Sequence, residues 1–302
     1  SYSHMAFAFP CVMISAIVLC VLGTKNEIPY LRETQIRERF STLTVFREMK
    51  AVLSNRSFVA VFLGLLFGAV ISGVESAFMP FLGIHFWGFT TEDLSYLMYV
   101  GLFVFPVAFY LTPTLTRLID KRMSVIIPLA CWILAVNIPI SLRLLDVPWY
   151  PVNGSPWVLV IFIGYSCVGA LAAPIIGAST NSMLADIADE HELDSGIRRE
   201  GVIYAFRAFA GKATNAMGIA VGGVLLGAIE FPTQAVRGTI PEEMVWNLGF
   251  IAGPATSIFS LAALGFYLLY RIDRKRHEAI VEALNQRRST QSRRDLESVR
   301  DA

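Results

Sequence analysis

Two cations stand where water should be scarce. Arg207 and Lys212 lie in the apolar run Val202 to Ile229, directly after the charge-dense stretch ADIADEHELDSGIRREG, Ala185 to Gly201. If the run crosses a bilayer, about 1.5 Å per residue puts Arg207 about 8 Å and Lys212 about 15 Å from the charged end. A cation at such depth costs a few kcal/mol even on lenient insertion scales, so it normally faces a polar cavity or a partner. Lys212 shares a helix face with Asn215, and Gly211, Gly218 and Gly222 continue that side with almost no side-chain bulk. Two readings stay open for Lys212: a substrate or ion pathway, or a fixed counter-ion for a carboxylate elsewhere.

Other polar groups fall inside apolar runs. Glu75 lies about 27 Å along the run that begins at Ser57, hence near its far mouth. Asn137, Tyr165, Asn181 and Tyr204 have hydrogen-bonding groups suited to a hydroxylated solute, and interhelical hydrogen bonds account for them equally well. The stretch after the fifth run sets Asp186, Asp189, Glu190, Glu192 and Asp194 beside Arg198, Arg199 and Glu200. Read as a loop, it can form ion pairs that lock one conformation and break in another. With His191 these are also potential metal ligands, but they follow neither a calcium-loop nor an HExxH pattern, so no metal site is assigned.

Several chemistries find no support. There is no Gly-rich phosphate loop, no G-x-S-x-G elbow and no Cys/His constellation, so neither ATP hydrolysis nor covalent catalysis is indicated. The protein reads as no enzyme and needs no cofactor, and any energy coupling would come from an ion gradient. Cys11, Cys20, Cys131 and Cys167 all fall in apolar runs without Cys-x-x-Cys spacing, which makes them buried small hydrophobes.

The elements that must hold these residues are membrane spans. Across 302 residues, 55% are hydrophobic and only 16% charged, and mean hydropathy is +0.56, leaving too little polar surface for a soluble globule. The net charge of +1 gives no reason to expect a nucleic-acid partner. Seven apolar stretches approach the ~20 residues that cross a bilayer. They are Met5 to Leu22, Ser57 to Leu82, Leu94 to Leu111, Val125 to Leu145, Trp157 to Leu184, Val202 to Ile229 and Leu248 to Tyr270. The expected fold is an all-α polytopic bundle with the lipid bilayer as its surroundings.

Lys and Arg alternate sharply between the connections, 21 on one side against 1 on the other. The positive-inside rule then puts the N-terminus of this chain outside and its C-terminus in the cytoplasm. Trp87, Trp149, Trp157 and Trp246 all fall at the outer boundary, where amphipathic rings collect. An odd span count and a first connection longer than the rest suggest one helix (1–24), a cytoplasmic linker with an amphipathic helix (25–56), a six-helix bundle (57–270) and a basic tail (271–302). In the linker Phe40, Leu43, Phe46, Met49, Val52 and Leu53 recur at helical spacing. In the tail Ile272, Ala279, Ile280, Ala283 and Leu284 do the same, after which the polar run to Ala302 reads as disordered. Pro174, amid Gly169, Ala170, Ala172, Ala173 and Gly177, suggests a kink in a closely packed span.

MLADIADEHELDSGIRREGVIYAFRAFAGK resembles the tenth-to-eleventh helix segment of the glycoside-pentoside-hexuronide cation symporters, the melibiose permease-like family of the major facilitator superfamily. FREMKAVLSNRSF is similar to that family's entry to its seventh helix, and Arg117, Asp120, Lys121 and Arg122 to the short loop between helices eight and nine. The resemblance implies the C-terminal six-helix bundle plus the last helix of the N-terminal half. It also implies cation-coupled symport of a sugar or glycoside by alternating access, with sodium or proton as coupling ion, in a bacterial inner membrane. Lys212 would take the place of the eleventh-helix lysine near the cation and sugar sites, with Asn215, Arg207, Tyr204, Asn181 and Glu75 along the pathway. Asp186, Asp189, Glu192, Arg198, Arg199 and Glu200 would form the cytoplasmic gate, and His191 departs from the aromatic residue commoner there. The family's cation-binding acids belong to its N-terminal half, so that half is an expected partner. Lipid carriers of the same family and a heptahelical receptor are the alternatives.

Overall fold

A computed structural model describes residues 2–30, 42–153, 155–232, 236 and 238–300. The chain divides into two compact units, Ser1–Val45 and Phe46–Ala302. In the first, helix α1 spans Tyr2–Thr24 and ends in a 3-10 turn over Lys25–Tyr30. The Ser15 and Thr24 hydroxyls donate to the carbonyls of Cys11 and Cys20, four residues back, which satisfies both polar groups within the helix. Phe40 lies outside the described residues.

Helix α2 (Thr42–Leu53) leads into the second unit, whose helices are α3 (Arg56–Phe81), α4 (Thr91–Leu118), α5 (Met123–Leu144), α6 (Pro156–Ser195) and α7 (Glu200–Ala228). They are followed by α8 (Glu242–Phe250), α9 (Thr256–Leu268) and α10 (Arg274–Arg300). Two π turns, Leu82–Phe86 after α3 and Ile251–Ala255 between α8 and α9, lengthen their spans. Seven segments among the described residues are long and apolar enough to cross a membrane: Ala6–Pro29, Arg56–Phe86, Thr91–Leu118, Met123–Leu144, Pro156–Ser195, Glu200–Ala228 and Glu242–Leu268. They match the seven apolar runs of the sequence.

Helix starts follow their caps. The Asn55 side chain accepts from the Phe58 amide at 2.9 Å, Thr90 and Asp93 form a reciprocal capping box, and Ser155 precedes a proline at the first position of α6. Gly196, at φ 74, stops α6 in the left-handed region that glycine tolerates. Consequently α6 runs eleven residues past Leu184, and Asp186 to Asp194 are helical where the sequence suggested a loop. Ala, Glu and Leu in that stretch favour helix, and its carboxylates find cations on other elements.

Helix α3 is the hub of the second unit. It crosses α7 at Gly73 and Gly218, where a Cβ on either residue would strike the other helix's backbone, and at Ala77 against Gly222. In lipid, such close approach supplies the packing that a hydrophobic driving force supplies in water. Toward α9, Gly64 lies under the Tyr267 ring and Phe67 stacks on Phe259 and Phe266 at 6.2 and 5.4 Å.

Two buried clusters cap the bundle. At the α10 end, Phe58, Val61, Met183, Ile187 and Ile203 pack with Val52 of α2 and with Ile272, Ile280 and Leu284. At the opposite end, Phe78, Phe86, Trp87, Phe162 and Leu248 pack together. The disorder expected after Leu284 is not what is found: α10 continues to Arg300, its first half anchored by apolar and ionic contacts.

Candidate functional site

The interior polar site forms around Glu75. A cavity of about 310 Å³ opens between α3, α5 and α6, lined by Ser72, Glu75, Ser76, Trp132, Tyr165 and Gly169 among others. The Glu75 carboxylate is within reach of the Trp132 indole N–H. The benzo edge of Trp132 packs against α6 because Gly169 offers no Cβ in its way, and its ring centroid is 6.3 Å from that of Tyr165. Tyr165 is in turn braced edge-on by Phe162 at 4.5 Å.

This places Glu75 deeper than the sequence count did. Trp132 is nine residues into α5 and Tyr165 nine residues into the neighbouring α6, so both sit about 13 Å from the ends of their spans. Their partner Glu75 is therefore interior and not at a mouth. The count misled because α3 continues through the π turn to Phe86, so Glu75 is eleven residues short of the span's end.

Helix α7 parts the two cations. Its buried residues Ile203, Ala210, Thr214, Gly218 and Gly222 define a packed face. Arg207 belongs to that side: its Nε is buried without a hydrogen-bond partner, and its charge lies close to Tyr267. Lys212 points the other way and is exposed, as is Gly211, so of the three glycines only Gly218 and Gly222 belong to the seam. Asn215 meets α3 through its backbone carbonyl, against Gly73. Tyr204 reaches across to the Asn181 carbonyl at 3.5 Å.

The acidic end of α6 is an ionic hub. Asp186, 2% exposed, receives both of its oxygens' contacts from Lys121 Nζ at 2.7 Å, with His277 Nε2 at 3.1 Å and the Tyr270 hydroxyl donating at 3.3 Å. Burial, and then the Asp186 charge, push the Tyr270 hydroxyl above the usual tyrosine range. Glu190 accepts from Asn55 at 2.9 Å and from Arg276 at 2.5 and 3.0 Å. Glu192 pairs with Arg288 at 2.8 Å and with Arg198 at 3.1 Å, while Arg198 also holds Asp189 at 2.7 Å and Glu200 at 2.9 Å. Those carboxylates, Glu200 foremost, raise the Arg198 guanidinium further above its ordinary value. Arg199 stands 3.9 Å from Glu48 and 3.5 Å from the His191 ring.

All six gate residues named from the sequence thus meet in one cluster, at the α10 end. What the sequence did not supply was their partners Tyr270, His277 and Arg288, the contact between Lys121 and Asp186, or Arg276 on the neighbouring Glu190. The signal was present as an excess of buried-side carboxylates, which demands cations from elsewhere. Trp132 went unread because a lone indole in an apolar run looks like any core residue. Among the described residues no group of three or more His, Cys, Asp or Glu is placed to hold a metal ion.

Comparison with known proteins agrees with this architecture. The family model for MFS/sugar transport protein matches residues 1–274. An uncharacterized symporter of Synechocystis sp. is 24% identical over 248 residues, covering 81% of this chain and 43% of that protein. An Escherichia coli K12 protein whose name proposes it as a sulfoquinovose importer is 22% identical over 297 residues, covering 96% and 58%. A second E. coli K12 protein, named in the same way as a 2,3-dihydroxypropane-1-sulfonate exporter, is 22% identical over 292 residues, covering 96% and 59%. The chain therefore spans about half the length of the curated relatives it matches. Seven membrane-length helices among the described residues and this match identify the chain as a multi-pass membrane protein of the MFS/sugar transport protein family, a family of transporters and not of enzymes.

Proposed function

We propose that the chain is the C-terminal half, with one preceding helix, of a secondary transporter that couples a sugar or sugar-like solute to a sodium or proton gradient. The observation that carries this is the Glu75 cavity, a carboxylate with aromatic and hydroxyl neighbours at interior depth in an otherwise apolar bundle. Transporter sites of this class lie near the bilayer midplane between two halves that rock about them. Lys212, exposed on α7, would face that shared space, where its charge suits an anionic substituent on the solute or a carboxylate of the other half. Two relatives are named for sulfonated solutes, which makes a sugar sulfonate a solute class to test first.

In this reading the α10 end is cytoplasmic, as the Lys/Arg distribution suggests, and the Asp186 to Glu200 cluster closes that side. The test uses the complete gene product in proteoliposomes with labelled glycosides and sulfonated sugars. Accumulation under an imposed sodium or proton gradient, lost on its collapse, is expected. No accumulation of any of these solutes under either gradient would reject the reading.

A further inference from the structure

The Glu75 cavity has a chemical composition that selects the ion. An ionised carboxylate offers about four lone-pair sites and carries a full charge. Here the donor that reaches it is the Trp132 N–H. The elements around it supply no opposing charge among the described residues. Helix α3 itself contributes the Ser72 and Ser76 hydroxyls, α5 contributes Trp132 with Val136 and Ile140, and the π turn contributes Ala252. From α6 come the Tyr165 hydroxyl and Ser166, whose Oγ is already committed to the Phe162 carbonyl at 2.8 Å. Helix α7 meets α3 through glycine and backbone, and α9 meets it through Phe259, Phe266 and Tyr267. Arg207 lies beside Tyr267, not Glu75, and Lys212 is on the opposite side of α7 from the packed face.

A sodium ion needs several oxygens to replace its hydration shell. It would find one carboxylate and the hydroxyls of Ser72, Ser76 and Tyr165, against walls of Val74, Phe78 and Leu82. A proton needs one oxygen. Once bound, it cancels the charge and gives the carboxyl an O–H to donate to a hydroxyl neighbour such as Tyr165.

We propose that Glu75 is a proton-carrying carboxyl of this half, loaded while the cavity is dry and unloaded when solute and water enter it, so that the coupling ion is the proton. On unloading, the Oε–H bond breaks, the electron pair stays on the carboxylate, and the proton passes to the entering water. The inference rests on the transport reading for its coupling role, whereas the proton site itself is a property of the bundle.

The two parts are tested separately on the complete protein in lipid. In pH-difference infrared spectra, a titrating protonated-carboxyl band is expected in the wild type, absent in Glu75→Gln and displaced in Glu75→Asp. Wild-type and Glu75→Gln spectra that coincide would overturn the proposal. For transport, proton-driven accumulation by Glu75→Gln, at a membrane level matched to wild type, is expected to fall about tenfold or more, the scale of an ordinary coupling free energy. Undiminished proton-driven accumulation in Glu75→Gln overturns the coupling role. A titrating Glu75 band in a protein that moves no solute would sustain the proton site and refute the transport reading alone.

Discussion

Lys121 Nζ stands 2.7 Å from both carboxylate oxygens of Asp186, joining the short α4–α5 connection to the far end of α6. The carboxylate's side chain is 3% exposed and the lysine's 29%, so the pair is half sheltered and its loss is felt unequally. Removing Lys121 leaves Asp186 with His277 and Tyr270; removing Asp186 strands three partners at once.

Asp186→Ala is therefore expected to destabilise the protein by about 3–5 kcal/mol, the cost of breaking a buried pair from its buried side. Lys121→Met should cost less, and the Asp186→Asn, Lys121→Met double variant less than the sum of its singles. Thermal unfolding in detergent, run as a double-mutant cycle, reads the coupling; additive losses would refute it.

Tyr270 offers a pH signature. Its hydroxyl is held above the usual tyrosine range in the fold, so the folded state retains this proton longer than the unfolded chain does. The stability it contributes is then fully present at neutral pH and is lost progressively as pH climbs from the ordinary tyrosine value through the raised one. Ultraviolet titration should show one fewer ionisation-resistant tyrosine in folded Tyr270→Phe than in the folded wild type. The same substitution should cost about 1.5–3 kcal/mol, as for a hydrogen bond to a charged group.

The α3–α7 seam predicts a contrast between glycines. Gly218→Val drives a branched side chain into the Val70 carbonyl and should cost about 1–3 kcal/mol or prevent folding. Gly211→Ala meets nothing within 4 Å and should change stability by about 0.5 kcal/mol or less. Expression level and melting temperature in detergent distinguish the two.

Lys212→Ala should leave stability within about 0.5 kcal/mol of wild type, since the side chain is exposed on α7. Gradient-driven uptake by the complete protein should nonetheless fall by about tenfold or more, as expected for a cation that earns its place by function. Unchanged uptake and unchanged ion dependence would remove Lys212 from the proposed pathway.

The spans were legible because a bilayer demands long apolar runs, and that demand is written locally. The acidic cluster was legible too, as composition. Its secondary structure was not, since Asp and Glu in series suggest a solvated loop until the cations that neutralise them are brought together by the fold. Depth along α3 failed for a related reason: a π turn adds length that no residue between Ser57 and Glu75 announces. Arg207 and Lys212 look alike in sequence, five residues apart. Only the position of α3 decides which is packed and which is left uncovered.

Helix α6 has one more consequence. Tyr165, at the Glu75 cavity, and Asp186, in the ionic hub, are 21 residues apart on one helix, about 32 Å. Between them stands Pro174, which deprives one carbonyl of its helical bond and loosens the helix there. The rod is thus a lever with a joint: a few degrees of swing at Pro174 translates into ångströms at either tip. The Glu75 cavity and the ionic hub thus share one helix with a weakened joint between them.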